Sequence, residues 1–361
     1  MMMQEDFYFP FVSEPPKVFN INDVANVYRH IDNDRSKTIF MNRLNYSITG
    51  DFQYIRNIVL QTKIGHQFYD MLSGITDGAY IYGAGRRGRR LALMFPDICW
   101  RGFIDGYKEG ECDGLKIFRP QDVPGKPTAK IVISNMFDEV GIIGELTNMG
   151  FSSANIISMN EWDKKSAHNI YFDTRCVNSK KLSEVGCFVD VGSCDGKDSI
   201  CFLEKHGKDK RIIAIEPEKN NYGMCCKNLE SYDNAKVVWG GAGKSNCFAD
   251  IGGEKQSAHI LMSDENGDNN TPVYCLDDIL SDEAAGFIKM DIEGSEADAL
   301  VGAYQTIKSK KPIMAISTYH KREDIIALPQ MLLEINDNYR LCFEHYSVGV
   351  MDTVMYAVAQ E

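Results

Sequence analysis

The stretch that decides the fold reads CFVDVGSCDG and covers residues 187–196, where an apolar run leads into a glycine-rich turn. The apolar part predicts a short buried strand, and the turn has the spacing D-x-G-x-x-x-G from Asp190 to Gly196. The next apolar run, residues 211–215, ends at Glu216. A strand, a glycine turn and an acid at the end of the next strand predict parallel strands with a ligand site at their carboxyl edge.

The chain beyond residue 185 repeats this alternation nearly to its end. Further candidate strands are residues 236–239, 287–291 and 313–317, with helical stretches between most of them. The last two candidates, residues 341–346 and 353–359, are joined by a short turn and predict an antiparallel hairpin. Five parallel strands closed by a hairpin predict an α/β fold of the methyltransferase-type Rossmann kind.

An earlier alternation predicts a second, smaller Rossmann-like sheet. Its candidate strands are residues 79–82, 100–104, 130–134 and 155–158. Short helices with polar breaks precede it, and we expect Asn22 and Asp51 to cap two of them. The predicted domains are a helical cap (1–78), a small nucleotide-binding domain (79–160), a connector (161–184) and a cofactor-binding domain (185–361).

Composition limits the possible partners and compartment. Lys and Arg number 39 against 51 Asp and Glu, a formal net charge of -12, and no long basic run is present, which argues against nucleic acid. No apolar stretch is long enough to cross a bilayer, and the start lacks a signal-peptide pattern. Because the eleven cysteines form no C-x-x-C pair, we expect reduced thiols and a cytoplasmic protein.

The first glycine turn has the spacing of a dinucleotide-binding fingerprint. It reads Gly83-x-Gly85-x-x-Gly88, contains Arg86, and is followed by Asp105 at the end of the next strand. Glycines allow a pyrophosphate to approach closely, and a strand-end acid binds ribose hydroxyls. Three interpretations stay open: a nucleotide or nucleotide-sugar site, an NAD or flavin site, and a purely structural turn.

The second glycine turn has the form used for S-adenosyl-L-methionine, a cofactor without phosphates. We expect Glu216 to accept hydrogen bonds from both ribose hydroxyls, and Asp190 and Asp195 to lie near the methionine ammonium. Backbone groups of residues 240–246 would hold the adenine. The predicted cofactor-binding residues are Asp190, Gly192, Ser193, Asp195, Gly196, Glu216 and Ala242.

Polar side chains predict the reaction centre at the same edge. In the run FIKMDIEGSE, residues 287–296, Lys289, Asp291 and Glu293 fall on one side of the strand as it leaves the sheet. We expect Lys289 to form an ion pair there and to contact substrate, and we predict no metal site. His320, at the end of the next strand, is the candidate general base, and His345 is a candidate for the substrate pocket.

From Cys187 onward the chain resembles the FkbM family of S-adenosylmethionine-dependent methyltransferases. The motifs that carry the resemblance are VDVGSCDGKDS, IEPEKNNY, YCLDDIL, FIKMDIEGSE, KPIMAISTYHKREDI and HYSVGVMDTVMYAV. The resemblance implies a class I methyltransferase fold and methyl transfer to a hydroxyl of a sugar, glycan or natural product. It also implies that Asp190, Gly192 and Glu216 bind the cofactor, and that the reaction centre includes Asp291, Glu293 and His320.

Residues 80–158 are similar to small nucleotide-sugar-binding domains of sugar-modifying enzymes, through the motifs IYGAGRRGRRLA and GFID. The resemblance implies that Gly83, Gly85, Arg86 and Asp105 hold a nucleotide or present a glycosyl acceptor. Two other functions remain as alternatives: an NAD-dependent oxidoreductase that uses this turn, and a non-catalytic nucleotide-sugar binding module.

Overall fold

A computed structural model describes residues 19–252, 259–261 and 271–360. The chain divides into two compact units. The first unit contains the described residues up to Phe40, residues 169–344 and the chain from Thr353; the second contains residues 41–168 and 345–352. The predicted helical cap over 1–78 is therefore shared between the units, and the predicted connector is divided near residue 168.

Four helices precede the first strand, and their caps can be compared with the prediction. Asn20, and not Asn22 as predicted, caps the first helix by accepting from the amides of Asn22 and Asp23. Asp51 caps the third helix as predicted, through the amide of Gln53 at 2.9 Å. The helices are α1 (Ile21–Arg29), α2 (Asp34–Thr49), α3 (Phe52–Gln61) and α4 (Lys63–Ser73).

The second unit is built on a six-stranded sheet in the order β3-β4-β2-β1-β5-β6. All neighbours pair in parallel except β3 and β4, a hairpin that the sequence analysis did not predict. The elements are β1 (Ala79–Tyr82), α5 (Arg86–Met94), β2 (Trp100–Ile104), β3 (Gly110–Cys112), β4 (Leu115–Phe118), β5 (Lys130–Ile133), α6 (Glu139–Asn148), β6 (Ile156–Ser158) and α7 (Met159–Ser166).

The first unit is built on a seven-stranded sheet in the order β16-β17-β15-β14-β7-β8-β9. Strands β7, β8, β9, β14 and β15 pair in parallel, and β17 is antiparallel to β15. This arrangement confirms the predicted class I methyltransferase fold with its closing hairpin. Its elements are α8 (Ser179–Glu184), β7 (Cys187–Val191), α9 (Lys197–His206), β8 (Arg211–Glu216), α10 (Lys219–Leu229), β9 (Ala235–Trp239), β14 (Ala285–Met290), α12 (Glu296–Gly302), α13 (Tyr304–Lys310), β15 (Ile313–Ser317), α14 (Asp324–Ile335), β16 (Tyr339–His345) and β17 (Thr353–Ala359).

A four-stranded sheet in the order β10-β13-β11-β12 adds to this unit and was missed by the sequence analysis. Some of its strands are short and rich in glycine, and in others apolar and polar residues alternate only weakly. They therefore lack the sequence periodicity from which strands are predicted. The elements are β10 (Gly241–Gly243), β11 (Cys247–Gly252), β12 (His259–Leu261), β13 (Thr271–Cys275) and the short helix α11 (Leu276–Ile279).

Aromatic packing fixes the sheet on which the site is built. Phe188 on β7 stacks on Phe202 of α9 with ring centroids 4.8 Å apart, and Phe287 of β14 packs edge-on against Phe188 at 5.2 Å. Parallel pairing then sets Lys289 of β14 beside Asp190 of β7. The carboxyl ends of β7, β8, β14 and β15 consequently meet at one edge of the sheet.

A disulfide joins Cys176, before α8, to Cys342 on β16, across 166 residues of sequence. The prediction that the thiols are all reduced is therefore wrong for these two cysteines. It failed because their pairing depends on the folding of β16 beside the chain that precedes α8, which spacing cannot show. None of the helices in the described ranges combines the length and apolar character needed to cross a bilayer.

Candidate functional site

The loop after β7 and the loop after β14 are in direct contact at Gly192. Its φ is +77°, and a Cβ built there would lie 2.0 Å from the backbone oxygen of Asp291. The turn ends at Gly196, which has a φ of +80° and begins α9. Both glycines are needed on steric grounds, so the glycine spacing read from the sequence has a direct structural cause.

Glu216 lies at the end of β8, directly beside this turn. Its carboxylate accepts hydrogen bonds from the amide of Cys194 at 2.8 Å and from the amide of Glu218 at 2.9 Å. Burial raises the pKa of Glu216, although these backbone hydrogen bonds act against the rise. The side chain of Asn221 also hydrogen-bonds to this carboxylate, so three of its four lone pairs are used and one is left for a ligand at this edge.

Asp190 and Lys289 form an ion pair beneath the turn. Lys289 Nζ lies 3.1 Å from Asp190 Oδ1 and donates to the carbonyl of Gly192 at 2.7 Å, while Ser199 donates to Asp190 Oδ2 at 2.7 Å. Burial alone would lower the pKa of Lys289, but Asp190, Asp198 and Asp291 raise it above its ordinary value. Asp190 is wholly buried and Lys289 is 2% exposed, and their predicted contacts with cofactor and substrate stay predictions. They support the turn from below.

Asp198, in the first turn of α9, was missed by the sequence analysis. Its carboxylate lies 3.6 Å from Lys289 Nζ and remains 34% exposed. Burial raises the pKa of Asp198 to about 6, with Asp190 and Asp291 adding to the rise and Lys289 opposing it. The motif could have revealed this residue, because the first turn of a helix after such a loop faces the same edge.

Asp291 follows β14 and is held by the segment before α8. Tyr171 donates a hydrogen bond to its Oδ2 at 2.8 Å, and the hydroxyl of Tyr319 lies 3.4 Å from its Oδ1. Burial would raise the pKa of Asp291, but the neighbouring His320 and Lys289 outweigh it and lower the pKa. Tyr171 itself has a φ of +70°, a strained conformation for a tyrosine.

His320 is fully buried and surrounded by carboxylates. Nδ1 lies 2.8 Å from Glu296, and Nε2 lies 3.4 Å from Asp291 and 3.6 Å from Glu293. Burial would lower the pKa of His320, but Glu296, Asp291 and Glu293 raise it to about 10. A ring with this pKa is protonated at neutral pH and cannot accept a proton, which corrects its predicted role as general base.

The other predicted cofactor-binding residues line the turn or the strands next to it. Ser193 is buried with its hydroxyl 3.5 Å from the sulfur of Cys225, and Asp195 pairs with Lys197 at 2.5 Å. Ala242 is buried in β10, opposite Tyr274 of β13. These positions are compatible with the prediction that the cofactor-binding residues share one edge of the sheet.

His345 belongs to the second unit and not to the first. Its Nε2 lies 3.1 Å from the carbonyl oxygen of Gly349 and 3.4 Å from the hydroxyl of Ser347. It is only 2% exposed and bonds within its own turn, and its predicted substrate contact stays a prediction.

The first glycine turn is present in the second unit. Gly83 has a φ of +100°, Gly85 begins α5 without a side-chain cap, and Arg86 is exposed. Asp105, in contrast, accepts hydrogen bonds from the amides of Ala84, Tyr107 and Lys108 at 2.8 to 2.9 Å. These bonds occupy three of its four lone pairs and organise the loop, while its predicted contact with ribose hydroxyls stays a prediction.

Comparison with known proteins gives one family. Residues 190–343 match the model of the methyltransferase FkbM domain, while no curated protein matches the sequence significantly. A crystal structure of methyltransferase FkbM from Methylobacillus flagellatus aligns at 19% identity over 90% of this chain and 99% of that chain, with a TM-score of 0.47. Fibrillarin from Aeropyrum pernix, bound to S-adenosyl-L-methionine, aligns at 10% identity over 49% of this chain and 68% of that chain, with a TM-score of 0.33.

A precorrin-6y C5,15-methyltransferase from Geobacter metallireducens aligns at 14% identity over 56% of this chain and 88% of that chain, with a TM-score of 0.32. The similarity to a family rests on the family model alone. That model spans the motifs around Asp190, Glu216, Asp291 and His320. The match confirms the resemblance drawn from the sequence, and it places the similarity to the methyltransferase FkbM domain in residues 190–343 of the chain.

Proposed function

We propose that the protein is an S-adenosylmethionine-dependent O-methyltransferase that acts on a hydroxyl of a sugar, glycan or natural product. The observation that carries the proposal is Glu216, whose buried carboxylate lies at the end of β8 and bonds to the Cys194 amide of the glycine turn, with one lone pair left for a ligand. That is the acceptor a ribose diol requires. The similarity of residues 190–343 to a methyltransferase domain supports the same cofactor.

The charge of the edge suits this cofactor. Asp198, Asp291 and Glu293 are partly exposed there, with 34%, 26% and 20% of their side chains accessible. S-adenosyl-L-methionine carries a sulfonium and an ammonium, and both are stabilised by neighbouring carboxylates in a partly buried site. Lys289, which lies 3.1 Å from Asp190 and 3.6 Å from Asp198, offsets only part of this negative charge.

Methyl transfer proceeds in line from the sulfonium sulfur to the acceptor oxygen. Bound S-adenosyl-L-methionine would supply the methyl group and leave as S-adenosylhomocysteine, while Asp291 or Glu293 would accept the hydroxyl proton of the acceptor. His320 acts as a positioning residue, since it contacts both carboxylates from below. Alignment of two reactants lowers a barrier by about 7 to 11 kcal/mol, and we propose it as the main contribution.

Glu216→Ala tests this proposal. We expect S-adenosyl-L-methionine to bind at least about 10-fold more weakly, because the diol loses its acceptor. Isothermal titration calorimetry measures the affinity, and transfer of labelled methyl groups to a panel of glycans and nucleotide sugars measures the activity. Glu283→Gln is the matched control, since Glu283 pairs with Arg211 at 2.8 Å near the opposite end of the strands. Equal affinity in Glu216→Ala and the control would refute the assignment of Glu216.

We further propose that the second unit binds a nucleotide or a nucleotide-linked sugar. The supporting observation is the start of α5, where Gly85 provides no side-chain cap and a Cβ built on Gly85 would meet no neighbouring atom. Backbone amides at an open helix start bind phosphate, and the exposed Arg86 adds a positive charge. The hydrogen-exchange experiment in the Discussion tests this second proposal.

A further inference from the structure

Three side chains from three different elements converge below the proposed reaction centre. Asp291 follows β14, Glu296 begins α12, and His320 follows β15. One ligating atom from each lies within 4.8 Å of the others. We propose that this cluster, named the Asp291–Glu296–His320 cluster, is a binding site for one divalent cation of the Mn²⁺ type.

The distances suit an ion with little adjustment. His320 Nδ1 and Glu296 Oε1 are 2.8 Å apart. Metal bonds of about 2.0 to 2.2 Å to oxygen and nitrogen hold ligand atoms up to about 4.4 Å apart. The widest separation within the cluster, at most 4.8 Å, therefore closes through side-chain movements of a few tenths of an ångström.

One carboxylate oxygen of Glu296 lacks a donor among the described residues, which supports a cation site. Its Oε1 accepts from the amide of Ile292 at 2.9 Å and lies 2.8 Å from His320 Nδ1. Its Oε2 is buried and has no hydrogen-bond partner in the described part of the chain. A buried carboxylate oxygen without a donor costs free energy, and a cation removes that cost.

The imidazole shares an ion with Glu296 through Nδ1. Nδ1 lies 2.8 Å from Glu296 Oε1, whereas Nε2 faces Asp291 and Glu293. When an ion binds between Nδ1 and Glu296, the proton on Nδ1 is released to solvent, because the ligating nitrogen must be deprotonated.

Charge and ligand type select the class of ion. Three carboxylates, from Asp291, Glu293 and Glu296, surround the single imidazole, and Lys289 is paired with Asp190 instead. Two oxygens and one imidazole nitrogen suit Mn²⁺ and similar divalent ions better than Ca²⁺, which takes oxygen ligands, or soft ions, which take sulfur. This site departs from the sequence-based expectation of no metal.

The site has a consequence for catalysis that rests on the proposed function. An ion ligated by Asp291 would lie beside the acceptor hydroxyl and make loss of its proton easier. The binding itself does not depend on methyl transfer, and it is tested without cofactor or acceptor.

The experiment is a titration of the full chain, first freed of metal with chelator, with Mn²⁺ alone, followed by electron paramagnetic resonance. We expect one bound ion per chain and weaker binding by more than about 10-fold in Asp291→Asn and in His320→Gln. Glu283→Gln is the control and should bind as the wild type does. No binding by the wild type, or unchanged binding in both variants, overturns the proposal.

A measurement on the wild-type protein guards against variants that fail to fold. Electron spin-echo modulation of the bound Mn²⁺ detects a directly ligated imidazole nitrogen. We expect to detect this nitrogen signal. If bound Mn²⁺ gives no such signal, the assignment of His320 as a ligand is overturned. Failure of methyl transfer with intact Mn²⁺ binding would instead count against the proposed function alone.

Discussion

At the scale of single residues, burial and ion pairing decide which of the charged side chains at the edge face a ligand. Lys289 and Asp190 have nearly no exposed surface and stabilise the turn, although their sequence positions made them candidates for direct contact. About a third of the Asp198 side chain is exposed, and the sequence analysis did not single this residue out. The difference arises because the alternation of a strand gives the direction of a side chain but not the depth of its burial.

Asp198→Asn should stabilise the protein more at alkaline than at acidic pH. The pKa of Asp198 rises from 3.8 to about 6 on folding, so its contribution to stability is complete below 3.8 and is lost as pH rises through about 6. An uncharged amide avoids that loss. We expect a gain of about 1 kcal/mol at pH 8 after allowance for screening of this partly exposed group, and almost none at pH 4.

Urea unfolding of both proteins at the two pH values, without cofactor, measures this difference. Asp209→Asn, an acid in the turn before β8, serves as the control for general loss of surface charge. A gain of equal size at both pH values would show that the charge of Asp198 is not its cause.

At the scale of elements, the segment before α8 links the site to the closing hairpin. It carries Tyr171, which donates to Asp291 at 2.8 Å and whose amide donates to the hydroxyl of Tyr356 on β17 at 3.0 Å. The Cys176–Cys342 disulfide then ties the same segment to β16. The segment is therefore fixed at both ends of the short stretch that contacts the site.

Loss of this disulfide should destabilise the first unit. It closes a loop with a sequence separation of 166, so cross-linking strongly limits the unfolded chain. We expect reduction, or Cys176→Ser, to lower the free energy of unfolding by about 2 to 5 kcal/mol. Thermal unfolding with and without reductant measures the effect.

The thiol of Cys99, which is exposed and free, provides the control, because Cys99→Ser should leave the unfolding temperature unchanged. A reductant that has no effect on the wild-type unfolding temperature would contradict a stabilising role for the bridge. Mass spectrometry of the alkylated protein establishes the oxidation state in each sample.

At the scale of the whole molecule, the chain passes from the first unit to the second and back again. Residues 41–168 separate the helical start of the first unit from its sheet, and residues 345–352 belong to the second unit although β16 and β17 flank them. Each unit has its own parallel sheet with a glycine turn. A ligand can therefore be assigned to a unit by the peptides that it protects.

Hydrogen exchange should separate the ligands of the two units. We expect S-adenosyl-L-methionine to slow exchange in peptides around Gly192 and Glu216 and to leave the turn at Gly83 unchanged, because a ligand stabilises the region that binds it. A nucleotide sugar should instead slow exchange around Gly83 and Arg86. Mass spectrometry of the full-length protein with each ligand measures both responses.

Protection of the Gly83 turn by S-adenosyl-L-methionine would contradict the assignment of the cofactor to the first unit. No protection there by any nucleotide sugar in the panel would refute the proposal for the second unit. The same data report on the peptide around Tyr171, which we expect to gain protection with the cofactor through Asp291.

The sequence by itself determined the parallel strands, the two glycine turns and the acid at Glu216, because local periodicity and steric need for glycine are properties of short segments. Strands β7, β15 and β17 begin and end where the sequence predicts them. Only the tertiary structure decided the roles of His320 and Asp190. A histidine at the end of a strand is a base or a buried cation according to the carboxylates around it, and Glu296 approaches it from another element. Charge and burial at such a site are sums over distant segments, so spacing along the chain cannot supply them.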